Sequence, residues 1–124
     1  MPSRSSANLD ELQSQALVIR DLYDELNMRA RGRVWTREEF MLGFVGDVGD
    51  LAKLAMAADG ARAMPGGQAA LGHELADCLW CVLVLAHLHE VDLSTEFDRM
   101  MVELDTVIHS QLTAHAKPSA NDEP

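Results

Sequence analysis

Apolar residues recur at intervals of three and four positions through most of the chain, which is the spacing of one face of an α-helix. The first such segment begins at Asn8 or Asp10 and ends before Gly32. Its apolar positions are Leu9, Leu12, Ala16, Ile19, Tyr23 and Leu26. Asn8–Glu11 has the spacing of a capping box, a pairing of side chain and backbone that starts helices. The pattern therefore predicts a first helix from about residue 8 to residue 31.

Two further helices are predicted on either side of a central loop. Thr36–Glu39 is a second capping box, and the apolar spacing continues from it to about Asp59–Gly60. The loop is punctuated by Met64–Gly67, and the third helix follows from about Gln68 to Glu90. This third helix is apolar over much of its circumference, which is typical of a central or interfacial helix. The loop allows the second and third helices to pack antiparallel.

The fourth helix is predicted to begin at Ser94 as its N-cap, after the short link Val91–Leu93. Its apolar stripe consists of Phe97, Met100, Met101, Leu104, Val107, Ile108 and Leu112. Four helices with short connections predict an all-α, four-helix bundle-like domain over residues 8–116. The termini, residues 1–7 and 117–124, are polar and are predicted to be disordered.

Two acidic pairs interrupt the apolar pattern and are the candidate chemistry of the chain. Asp47 and Asp50 lie in the second helix, and Glu74 and Asp77 lie in the third. Residues three apart share one face of a helix, and carboxylates in apolar surroundings are costly unless their charge is compensated. If the two pairs face each other, they form a four-carboxylate pocket whose natural occupant is an oxygen-seeking cation such as Mg²⁺.

Composition limits the partners of such a site. The chain has 124 residues with 20 acids and 10 bases, giving a formal net charge of −10. This balance argues against a nucleic acid polymer as ligand, because such binders normally carry a basic stripe. No stretch reaches the roughly 18 uncharged apolar residues of a membrane span, and residues 1–7 lack an apolar signal core. We therefore expect a cytoplasmic protein without a membrane segment.

Cys78 and Cys81 form the sequence pattern Cys-x-x-Cys. A structural zinc site needs four ligands, and the chain has no second cysteine pair to supply the others. Both cysteines fall in the middle of a predicted helix, so we interpret them as small buried thiols rather than a redox motif.

Both acidic pairs, with their apolar neighbours, resemble motifs of the MazG-like all-α nucleotide pyrophosphohydrolases. Phe44–Lys53 is similar to the first acidic motif of that family, ExxE, and His73–Trp80 is similar to the second, ExxD. Val91–Leu93 resembles the Asp-Leu landmark that follows. The similarity covers roughly residues 35–93 and is greatest to the small dCTP pyrophosphatase-like branch.

The resemblance implies hydrolysis of a nucleoside triphosphate to a monophosphate and pyrophosphate, a house-cleaning activity in this family. It also implies that Mg²⁺, or Mn²⁺ in its place, binds Asp47, Asp50, Glu74 and Asp77. Trp35 matches a base-stacking tryptophan of the family. Trp80, at the end of the second acidic motif, is a second candidate for this role. The candidate phosphate partners are Arg33, Arg37 and Lys53. Family members are oligomers, so we expect a homodimer or homotetramer.

The chain also departs from the family pattern. Both acids of the first motif are the shorter Asp, and aromatic positions after the motifs are Ala57 and Cys81. Positions on the fourth helix that usually contact phosphate are Met100 and Leu104. These differences favour an alternative, a degenerate helical protein that binds nucleotide or metal without hydrolysis. A purely structural helical module is a third interpretation, but it leaves the four acids unexplained.

Overall fold

The computed structural model describes residues 8–60 and 66–116, and within these ranges every regular element is helical. The elements are α1 (Leu9–Arg31), α2 (Arg37–Ala58), α3 (Gly67–Leu88) and α4 (Leu93–Ala114). The predicted all-α class is therefore confirmed. Residues 1–7 and 117–124, predicted to be disordered, lie outside the described residues, as does most of the predicted loop before α3.

Capping side chains explain where three of the helices begin. Asn8 Oδ1 accepts the N–H of Glu11 at 2.9 Å at the start of α1. Thr36 and Glu39 form the complete reciprocal capping box of α2, with both contacts at 3.1 Å. Such a cap typically contributes about 1 kcal/mol. Both starts agree with the sequence prediction.

The predicted cap of α4 was wrong. Asp92, not Ser94, is the N-cap, and its Oδ1 accepts the N–H of Thr95 at 3.1 Å. The Asp92 carboxylate reaches the third N–H of the helix and also carries a negative charge that the helix N-terminus favours. Ser94 consequently lies inside the first turn.

The helix ends also differ slightly from the predictions. α1 ends at Gly32, as expected, with a left-handed φ of 72° that glycine adopts without strain. α3 ends at Leu88, two residues before the predicted end. Glu90 has a φ of 56°, and the N–H of Val91 donates to the Ala86 carbonyl at 2.8 Å. The chain thus turns out of the helix before Glu90.

By its internal contacts the chain divides into two compact units, residues 1–91 and residues 92–124. Within the first unit, α3 packs against both α1 and α2, which confirms the predicted central position of the third helix. Val84 of α3 is completely buried at the centre of this core. The other buried residues are Ala16, Phe40, Ala57, Cys81, Leu83 and Ala86.

α2 and α3 run antiparallel, as predicted. Arg37 at the start of α2 donates to the carbonyl of Leu88 at the end of α3, at 3.5 Å. Side chains further along α2, from Asp47 onward, meet residues progressively earlier in α3. This register brings the two acidic pairs to the same level of the helix pair.

α1 is attached to α3 by two hydrogen bonds from side chains to backbone carbonyls. Gln13 Nε2 donates to the Leu83 carbonyl, and Trp80 Nε1 donates to the Ala16 carbonyl, each at 3.1 Å. The second of these bonds ties the Trp80 indole to α1.

The second unit contains α4. Taken by itself, α4 has no buried residue, and the large apolar side chains of its stripe are all exposed. α3 is the only described helix with the length and mean hydropathy, 1.6, of a membrane span. The central helix of a soluble protein meets the same criterion, and α3 packs against both α1 and α2.

Candidate metal centre

Three carboxylates from α2 and α3 form a compact cluster. Asp47, Asp50 and Glu74 each place one carboxylate oxygen within 4.8 Å of the others. Oxygens that bind one Mg²⁺ or Ca²⁺ at about 2.0–2.6 Å can lie at most about 5 Å apart. The cluster is therefore of the right size for one hard cation with only small side-chain adjustments.

The helical register explains why these residues meet. Asp47 and Asp50 lie three positions apart on one face of α2, and Glu74 is on the facing side of α3. Asp50 is exposed, whereas Asp47 and Glu74 are half-buried. The sequence predicted that the acidic faces would oppose, and the structure brings three of the four acids together.

Asp77 lies one turn beyond Glu74 on α3 and is held differently. Its Oδ2 is 3.3 Å from His73 Nε2, four residues earlier on the same helix. It is not part of the three-residue cluster, but it is near enough to raise the pKa of Glu74. Sequence reasoning missed the His73 contact, although the i, i+4 spacing of His73 and Asp77 is the signal for it.

The surroundings of Glu74 disfavour its charged form. Burial raises the pKa of Glu74, and the charges of Asp77, Asp47 and Asp50 raise it further, while His73 acts in the opposite direction. Its Oε2 is buried and has no hydrogen-bond partner among the described residues. Buried polar atoms are nearly always partnered, so an unpartnered carboxylate oxygen beside other acids is consistent with a role in binding a cation.

Cys81 contacts the cluster from the core side. Its Sγ donates to Asp47 Oδ2 at 3.4 Å, and burial, followed by Asp47, raises the pKa of the thiol to about 12. Cys78 is half-buried, and burial also raises its pKa. Both cysteines are free thiols. The prediction of two buried thiols is therefore confirmed for Cys81 but not for Cys78, and the hydrogen bond from Cys81 to an acidic motif was not predicted.

A cleft of about 670 Å³ in the first unit adjoins the cluster. Asp47 and Asp77 lie in its wall, together with Trp35 and Trp80. The aromatic residues form a chain of edge-on and tilted contacts: Trp35–Phe40 at 5.5 Å, Phe40–Trp80 at 5.7 Å and Tyr23–Trp80 at 5.7 Å between ring centroids. The structure therefore places both predicted base-stacking residues beside two of the predicted metal ligands.

Trp35 is positioned by its neighbours in α2. It is 37% exposed and packs edge-on against the buried Phe40. A Cβ atom on Gly43 would lie 3.2 Å from Trp35 Cζ3, so the absence of a side chain at Gly43 makes room for the indole.

The predicted phosphate partners do not line this cleft. Arg33 forms a two-pronged ion pair with Glu39, at 2.7 and 3.1 Å, which lowers the pKa of Glu39 to about 2. Arg37 donates to the end of α3, and Lys53 is exposed one turn beyond Asp50. The arginine that lines the described cleft is instead Arg31.

No protein-family model, curated protein or solved structure matches this chain. Its function is therefore inferred from its residues and their geometry.

Proposed function

We propose that this protein is a metal-dependent nucleoside triphosphate pyrophosphohydrolase, which converts a nucleoside triphosphate and water to a monophosphate and pyrophosphate. The observation that carries the proposal is the cluster of Asp47, Asp50 and Glu74, with the unpartnered Oε2 of Glu74 inside it. The likeness of both acidic pairs to MazG-like motifs supports the choice of reaction.

The donor set fits Mg²⁺, with Mn²⁺ as a substitute, because all three clustered ligands are carboxylates. Asp47, Asp50 and Glu74 would hold the cation, and Asp77 is the proposed fourth ligand. A cation in this position supplies charge neutralisation for phosphate oxygens and acidifies a bound water. The negative cluster requires it, since a polyphosphate would otherwise be repelled by these carboxylates.

The chain's own residues contribute positioning. Two helices of a packed unit fix the carboxylates on opposing faces, which limits the freedom of the bound phosphate during attack on the α-phosphorus. An acid of the cluster is proposed to accept the proton of the attacking water.

The cleft is proposed to hold the nucleoside. Its volume of about 670 Å³ falls within the usual range of small-ligand sites. Trp35 is the proposed stacking partner for the base, and Trp80 is the second candidate. Arg33, Arg37 and Lys53 stay as predicted phosphate partners, and Arg33 would have to leave Glu39 to serve in this way.

The remaining features of the proposal come from the resemblance and the composition. We propose a house-cleaning role toward unwanted nucleotides in the cytoplasm and assembly as a homodimer or homotetramer. The exposed apolar stripe of α4 is consistent with contact between subunits.

One observation favours the alternative of binding without hydrolysis. The Arg33 charge is neutralised by Glu39, and Arg37 is tied to the end of α3, so two of the three predicted phosphate partners are engaged. A site that binds metal and nucleotide, but in which Arg33 and Arg37 do not reach the phosphates, would hold the substrate without hydrolysing it.

The test compares pyrophosphate release by the wild-type protein with two site variants, Asp50→Ala and Glu74→Ala, with and without Mg²⁺. Both variants are expected to lose at least about a hundredfold in turnover while retaining helicity by circular dichroism, because each loses a metal-binding carboxylate. Glu38→Ala, which removes an acid from the first turn of α2, is the matched control and should keep full turnover. Retained activity in both site variants would contradict the assignment.

A further inference from the structure

We infer that Arg31 is the cation that receives the polyphosphate in the cleft; this inference rests on the proposed function, since it names a residue of that same site. Arg31 is the last residue of α1 and lines the same cleft as Asp47 and Asp77. Arginine binds phosphate through a planar set of donors, which makes it the usual residue for this task.

The arginines near Arg31 in sequence are engaged elsewhere. Arg29 pairs with Glu25 at 2.6 Å, Arg33 pairs with Glu39, and Arg37 donates to the Leu88 carbonyl. Arg31 has no ion-pair or hydrogen-bond partner among the described residues. Its five guanidinium donors are therefore available to a ligand that enters the cleft.

The negative charge of the cleft wall favours a cation at the position of Arg31. The cleft wall carries Asp24, Asp47 and Asp77, and the whole chain has a formal net charge of −10. A triphosphate entering such a wall meets repulsion that one divalent cation offsets only in part. The other basic side chain lining the described cleft is His73, which is already paired with Asp77.

A simpler role for Arg31 is to interact with the carbonyl end of α1, where basic residues stabilise a helix. Arg29 occupies the same last turn and would do this equally well. The two arginines can therefore be compared directly, and they differ in two respects: Arg31 lines the cleft, and Arg29 is paired with Glu25.

The experiment measures binding of inorganic tripolyphosphate with Mg²⁺ by calorimetry, using the full chain. Arg31→Gln should weaken this binding roughly tenfold or more, because a charge-assisted hydrogen bond to phosphate is lost. Arg31→Lys should retain part of the affinity, and Arg29→Gln should bind like the wild type. Affinity for Mn²⁺ alone should be equal in Arg31→Gln and Arg29→Gln.

The outcomes separate this inference from the proposed function. Equal tripolyphosphate affinity in Arg31→Gln and Arg29→Gln would overturn the role of Arg31, as would a wild-type protein that does not bind tripolyphosphate. If binding depends on Arg31 but no nucleoside triphosphate is hydrolysed, the inference holds and the hydrolase proposal fails. An equal fall in melting temperature in both variants, with no difference in binding, would assign Arg31 to helix stabilisation alone.

Discussion

At the scale of single residues, Cys81 connects the core of the first unit with the acidic cluster. It is buried, and its thiol donates to Asp47 Oδ2. Groups that hydrogen-bond a metal ligand orient it, and their loss typically lowers metal affinity by about 10–100-fold. A thiol whose pKa is about 12 keeps its proton and stays a donor at neutral pH.

We therefore expect Cys81→Ala to lower Mn²⁺ affinity by roughly tenfold, since Asp47 loses the donor that orients it. Cys81→Ser restores a donor and should recover much of the affinity. Manganese binding measured by paramagnetic resonance checks this, with Cys78→Ala as the control in the same helix. If all three variants bind Mn²⁺ as tightly as the wild type does, the Cys81 thiol contributes packing and does not orient Asp47.

Glu74 gives the metal-free protein a distinctive dependence on pH. Because its pKa is raised above the ordinary value of 4.5, the folded protein binds this proton more tightly than the unfolded chain does. The contribution of Glu74 to stability is therefore fully present below pH 4.5 and is lost as pH rises through the raised pKa.

The change that tests this is Glu74→Gln, which removes the titrating group. In metal-free buffer, the melting temperature of the variant relative to wild type should increase as pH rises from about 4 to 8. Adding Mg²⁺ should raise the melting temperature of wild type more than that of the variant. If the difference in melting temperature between Glu74→Gln and wild type does not vary with pH, the pKa of Glu74 is not raised in the folded protein.

The sequence predicted the positions of the clustered acids but not which residues surround them. Paired spacing on apolar helices predicted that Asp47, Asp50, Glu74 and Asp77 would face one another. The first three meet, whereas Asp77 is paired with His73. The hydrogen bond of Cys81 and the position of Arg31 in the cleft wall depend on how helices that are distant in sequence pack and on where α1 ends. Spacing along one helix carries no such information, so neither residue was selected.

At the scale of helices, α2 is unusual because three glycines weaken its middle. Gly43 has a structural reason, the close approach of Trp35, whereas a Cβ at Gly46 or Gly49 would meet nothing within 4 Å among the described residues. Glycine inside a helix costs about 0.5–1 kcal/mol relative to alanine. The two kinds of position should therefore respond differently to the same substitution.

Gly46→Ala is expected to raise the free energy of unfolding by about 0.5–1 kcal/mol, because the helix gains propensity without a clash. Gly43→Ala should gain less or lose stability, since Trp35 must move, and its tryptophan fluorescence should change. Urea unfolding measures both variants. A loss of stability in Gly46→Ala as large as that in Gly43→Ala would mean that another surface packs closely on Gly46.

Helix starts were more predictable than their exact caps. The Asn8 and Thr36 caps have a distinct local signature and were both found as expected. Near α4, Asp92 and Ser94 are both good capping residues, and local sequence alone does not rank them. In the structure Asp92 caps α4, because its carboxylate accepts the Thr95 N–H.

At the scale of the whole molecule, the two units differ in how completely their apolar surface is covered. The first unit has a buried core around Val84, whereas α4 has no buried residue and an exposed apolar stripe. A stripe of this size on a helix is typical of an interface. The proposed homodimer or homotetramer would cover it.

Leu104→Glu is expected to shift the protein toward monomers, because it places a charge within that stripe. Thr106→Glu adds the same charge about 200° round the helix and should leave assembly unchanged. Sedimentation or light scattering measures the mass of each. A wild-type chain that is monomeric at all concentrations would contradict the assembly proposal.

The acidic cluster and the adjoining aromatic cleft support the proposed metal-dependent cleavage between the α- and β-phosphates. The most direct measurement is phosphorus magnetic resonance of a mixture of nucleoside triphosphates incubated with the protein, with and without Mg²⁺. Monophosphate and pyrophosphate are expected to appear together only when the metal is present. Diphosphate with inorganic phosphate, or no product from folded protein across the panel, would contradict the proposal.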